Sequence, residues 1–125
     1  LAGAFECHEG APATFPDLIA CERKLVWPGA SDHTIWGDAH VNWAFRAWHD
    51  GVHKRHGHDF TLAGETATCA EQIREVLQHA PRIPQFWLDL IRAEVIGQAE
   101  YFATHGDFPR DQIAFTREYL AIAHS

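Results

Sequence analysis

The stretch DAHVNWAFRAWHDGVHKRHG, Asp38 to Gly57, decides the fold. Val41, Phe45, Trp48 and Val52 recur every three or four residues, which is the repeat of one helix face. The spacing predicts a single helix over Asp38–His56, stopped by Gly57, a residue that readily takes the left-handed conformation that ends helices. His49, His53 and His56 share a direction with Asp38 and Asn42. At about 100° per residue, that polar direction lies about 45–105° round from the centre of the apolar stripe. It therefore looks along the edge of a core, whereas a purely solvated face would point away from it.

Outward from this helix the chain stays helical. Thr61 is a suitable N-cap for a second helix, Leu62–His79, which the APRIP segment breaks. A third is expected over Gln85–His105, ending at Gly106, and a last one from Pro109 in its first turn to about Ala123. Residues 1–35 are rich in Pro and Gly and read as loop around one short helix near Asp17–Val26. No segment of useful length alternates with period two, so a sheet is not expected. The expected fold class is all-α: about four main helices in one bundle-like domain, residues 1–125, with a loop-rich N-terminal segment.

Composition narrows the functional classes. The chain has 125 residues, enough for a single buried core, and is 46% hydrophobic and 22% charged. Its net charge of -7 argues against nucleic acid or an anionic membrane as partner, since both favour a basic face. No apolar run approaches the roughly 20 residues needed to span a bilayer, and no charged-then-apolar leader opens the chain. Three widely spaced cysteines, Cys7, Cys21 and Cys69, form no metal-binding pair and read as reduced thiols in a cytoplasmic protein.

The histidines carry the chemistry. His49 and His53 stand at i, i+4, a spacing that brings two imidazoles to one side of a helix. On the second helix Leu62, Cys69, Ile73, Val76 and Leu77 form the apolar face, with Glu65 and Gln72 on its flank. On the third, Trp87, Leu90, Ile91, Tyr101 and Phe102 share a side, and Glu94 falls in the middle of that stripe. A carboxylate there must be protonated, ion-paired or metal-bound, because an unpaired buried charge costs several kcal/mol. Arg46 is a candidate ion-pair partner for it. The alternative is a site shared by three helices. Its metal ligands would be His49, His53, Glu65 and Glu94, around a divalent ion such as Zn²⁺, Fe²⁺ or Mn²⁺. Asp38, Gln72, Gln98 and Tyr101 would orient those ligands. Asp50 or Glu65 would serve as general base toward a small-molecule substrate.

The stretch NWAFRAWHDGVHKRHGHDFTLAGE, Asn42 to Glu65, together with EVIGQ, Glu94 to Gln98, resembles a pattern of phage- and plasmid-encoded helical proteins. In that group an FRAxHD…H helix is followed by a GE segment and later by ExxGQ. The resemblance covers about half of the chain and implies one site containing His49, Asp50, His53, Glu65, Glu94 and Gln98. It implies no reaction. HDGVH is also similar to the H-D-x-x-H cluster of HD-domain phosphohydrolases, for which His33 and Asp89 would be the outlying ligands. Asp89, however, falls on the solvent side of its helix. The E-x-x-H pairs of ferritin-like di-iron proteins do not occur, which favours one metal over two. The expectation is a mononuclear metal protein, either a metal-dependent hydrolase or an Fe(II) oxygenase; the rival is a metal-free interaction protein.

Overall fold

The computed structural model describes residues 2–29, 31 and 34–123. It is helical, as the periodicity requires, with elements in the order β1 (Glu6–Cys7), α1 (Phe15–Ala20), β2 (Leu25–Val26), α2 (Ala39–His56), α3 (Leu62–His79), α4 (Gln85–Arg92), a π-helical turn (Ala93–Gly97), α5 (Gln98–His105) and α6 (Gln112–Ala123). Among the described residues no helix is long and apolar enough to cross a membrane.

The helix ends follow from their capping residues. Asp38 caps α2 by accepting the His40 amide at 2.7 Å, and Gly57 ends the helix at φ 70°. The Thr61 hydroxyl accepts the Gly64 amide at 3.1 Å and starts α3; such a cap contributes about 1 kcal/mol. Gly106 ends α5 at φ 76°.

Trp48 and Val52 of α2, Cys69 and Val76 of α3, Leu88 and Ile91 of α4 and Val95 of the π turn form the buried core. Five residues assigned to apolar faces by straight-helix arithmetic are instead exposed: Val41, Leu62, Leu77, Trp87 and Phe102. Val41, Leu62 and Leu77 lie in terminal turns of their helices and Trp87 near the start of α4. Phe102 follows the π turn.

Three sequence expectations need correction. The short N-terminal helix covers Phe15–Ala20 alone, and Leu25–Val26 instead pairs in parallel with Glu6–Cys7 as a two-residue sheet. Such a ladder is too short to show period-two alternation. The last helix starts at Gln112, and Pro109 is buried in the loop before it. The expected Gln85–His105 helix is interrupted by the π turn, which re-aims every side chain after it relative to a regular helix.

Gly97 explains why α6 fits against that turn. A Cβ at Gly97 would lie 2.9 Å from the Tyr119 ring and 3.4 Å from Phe115. Gly97→Ala is expected to push α6 off the π turn and to lower stability by about 1–3 kcal/mol. Chemical denaturation checks this; an unchanged midpoint contradicts the packing described here.

Candidate metal centre

His49 and His53 project from successive turns of α2 toward the first turns of α3, where Glu65 meets them. Their geometry is close to an equilateral triangle. His53 Nε2 lies 3.0 Å from His49 Nε2 and 3.1 Å from Glu65 Oε2, and His49 Nε2 lies 3.0 Å from the same oxygen. Among the described residues this is the one group of three or more His, Cys, Asp or Glu side chains spaced to hold a metal ion. His53 is fully buried, while the His49 and Glu65 side chains keep 18% and 16% of their surface.

The other ring nitrogens determine what the triangle presents. His53 Nδ1 faces the His58 carbonyl at 2.7 Å, and the Thr68 hydroxyl at 3.1 Å. A nitrogen facing a carbonyl must donate, so the hydrogen sits on Nδ1 and Nε2 of the neutral ring offers its lone pair. His49 Nδ1 likewise donates to Gln72 Oε1 at 2.8 Å. Two lone pairs and a carboxylate oxygen thus converge within 3.1 Å, and three acceptors repel one another unless a cation or a proton lies among them. Holding Gln72 in this orientation leaves its buried Nε2 without a partner among the described residues, at a cost of about 1–3 kcal/mol.

Local structure places these groups. Gly57 turns the chain back so that the His58 amide reaches the His53 carbonyl at 3.2 Å, while the His58 carbonyl reaches the His53 ring. Gly64, just before Glu65, has no room for a side chain: a Cβ there would lie 2.1 Å from the Asp59 carbonyl oxygen. Phe45 stacks on the His49 ring at 6.2 Å between centroids, and Phe60 packs edge-on against His53 at 4.8 Å.

The charges respond to this arrangement. Burial by itself raises the Glu65 pKa, but in the metal-free site the hydrogen bonds and charges that His49 and His53 supply when a proton occupies Nε2 override it and hold the carboxyl at about 2. For His49, burial disfavours the imidazolium; Glu65 outweighs it and shifts the pKa upward. Asp50 is shifted upward, mainly by burial, against the opposing charges of His49 and His53. Among the described residues Asp50 makes no ion pair.

Of the ligands expected from sequence, the structure brings together His49, His53 and Glu65 but not Glu94. The Glu94 oxygens instead accept from Thr116 at 2.9 Å and from Gln98 at 3.1 Å. Burial raises its pKa, against the two hydrogen bonds and the charge of Arg46. The acid on the apolar stripe is therefore met by neutral donors in a polar pocket of the π turn. Arg46 bonds the Trp27 and Gly29 carbonyls.

Among the expected orienting residues, Gln72 bonds His49 directly. Gln98 serves Glu94, Asp38 caps α2, and Tyr101 packs on His105 and Phe115. Asp89 pairs with Arg92 at 3.1 Å, and His33 lies outside the described residues. Sequence reasoning missed His58, Thr68 and Phe60. His58 acts through a backbone carbonyl, which no residue pattern reports; DF and the Gly57 stop were the available hints.

Two outcomes are expected. In metal-free protein, the low Glu65 pKa contributes stability that is present above the usual carboxylate range, about 4.3, and is lost as pH falls toward about 2. The raised His49 pKa contributes stability that is present in acid and is lost as pH rises through its folded value. A divalent cation competes with the His49 proton, so the cation-induced rise in melting temperature grows with pH; a pH-independent rise contradicts the geometry. Glu94→Gln is expected to leave any cation response unchanged and to equal or exceed the parent in stability at pH 7, because it removes a charge that folding disfavours. Metal analysis and thermal unfolding check both points.

Nothing beyond these atoms assigns the site: no family model, curated protein or solved structure matches the chain.

Proposed function

We propose that the protein binds one divalent metal ion through His49, His53 and Glu65, and that this centre activates water for hydrolysis. The observation that carries the reading is the convergence of two imidazole nitrogens and a carboxylate oxygen at 3.0–3.1 Å, with both outer ring nitrogens already bonded. Hydrogen-bonded imidazoles of this kind are the usual support of metal ligands. Three protein ligands rather than four leave a position for water, the pattern of catalytic rather than structural sites. A bound dication lowers the pKa of its water toward neutrality and supplies hydroxide.

Asp50 takes the general-base role in this reading. Glu65 is occupied as a ligand, whereas Asp50 is not a ligand, its charge is felt by His49, His53 and Glu65, and burial makes it more basic than an ordinary carboxylate. The donor set, two histidines and one carboxylate, also matches non-haem Fe(II) oxygenases. That second reading differs by consuming oxygen.

Protein purified without a histidine tag is expected to carry one equivalent of metal per chain. Glu65→Gln, nearly isosteric, is expected to lose most of it and to fold normally once the metal is removed from both proteins. Hydrolysis of phosphomonoester, phosphodiester or ester probes should disappear with Asp50→Asn while the metal remains. Metal-free protein of unchanged stability on adding cation would sink the proposal.

A further inference from the structure

Resting on that metal reading, we infer that His49, His53 and Glu65 form one face of a six-coordinate centre, whose opposite face takes a singly charged ligand binding through two oxygens. The spacing of the three ligand atoms carries the argument. Histidine nitrogen and carboxylate oxygen bind such ions at about 2.0–2.2 Å. An ion about 2.1 Å from atoms 3.0–3.1 Å apart sees them at angles of about 91–95°. A tetrahedral ion at the same bond length would need them about 3.4 Å apart. The triangle is too small for a tetrahedron and fits the face of an octahedron, a geometry that favours Fe²⁺, Mn²⁺, Co²⁺ or Ni²⁺ over Zn²⁺.

Among the described residues no fourth histidine, cysteine or carboxylate joins the group. Glu94 is held by Thr116 and Gln98. The three open positions are then mutually adjacent, so a molecule with oxygens on neighbouring atoms, such as a 2-hydroxy acid or a hydroxamate, can bridge two of them in a five-membered chelate. Charge selects its sign. Two neutral imidazoles, one carboxylate and a dication leave a single positive charge, which a monoanion neutralises. A dianion would leave the site with a net negative charge in a mostly buried position. His53 is fully buried while His49 and Glu65 remain partly exposed, so the ligand enters along the His49–Glu65 edge.

Cobalt separates this inference from the reading beneath it. Metal-free protein is loaded with Co²⁺, the bound metal is counted, and the visible spectrum is recorded before and after adding acetohydroxamate, with acetate as a one-oxygen control. The expected result is one Co²⁺ per chain with the weak bands of six-coordination. Acetohydroxamate should then shift the spectrum saturably, at least about tenfold more tightly than acetate, because its second oxygen binds at high effective concentration. Stoichiometric Co²⁺ with intense tetrahedral bands overturns the inference and leaves the metal site standing. So does an acetohydroxamate response no tighter than that of acetate. Failure to bind Co²⁺ at all overturns both.

Discussion

Three electron-rich atoms held about 3 Å apart by their own supports are the constraint around which the α2–α3 pair is arranged. Imidazole nitrogens and a carboxylate oxygen do not gather without a cation or proton among them, since lone pairs repel and desolvation removes the water that would otherwise separate them. Each ring is nevertheless pinned from behind, His53 by the His58 carbonyl and His49 by Gln72. The directions of the three ligand-type atoms are thus set by the protein itself, an arrangement that would lower the ordering cost of binding a cation.

The supports are themselves costly. Gln72 keeps a buried nitrogen without a partner among the described residues, Gly64 gives up a side chain so that the start of α3 can press on Asp59, and the polar ring of His53 is fully buried. Local rules broken together at one place are the mark of a site shaped by something other than stability. The second such place is the π turn, where Glu94 is half-buried between Thr116 and Gln98. Its polar atoms are satisfied, and Gly97 lets α6 close over it. That arrangement explains how a carboxyl group is tolerated in an apolar stripe without an ion pair among the described residues.

Much of this was legible in the residues alone. Helix spans over α2 and α3, their caps at Thr61 and Gly57 and the left-handed stop at Gly106 follow from propensity and backbone sterics, which act over a few residues. The pairing of His49 with His53, and the placing of Glu65 and Gln72 on one flank, follow from the 3.6-residue repeat. The same arithmetic failed past Ala93 because it assumes a regular helix. One wider turn there changes which residues face α3, so Tyr101 packs on His105 and Phe115 instead of the site.

By itself, then, the sequence determined which faces carry imidazole and carboxyl groups, because helical geometry is local and periodic. Tertiary structure alone decided which of those groups meet. Glu65 and Glu94 are both acids on the inner sides of helices, yet only Glu65 reaches the histidines, since α2 packs directly on the start of α3 whereas the π turn delivers Glu94 to α6. The backbone carbonyl of His58 could be placed in no other way, because every residue has one and only the folded path of the chain selects which of them reaches the His53 ring.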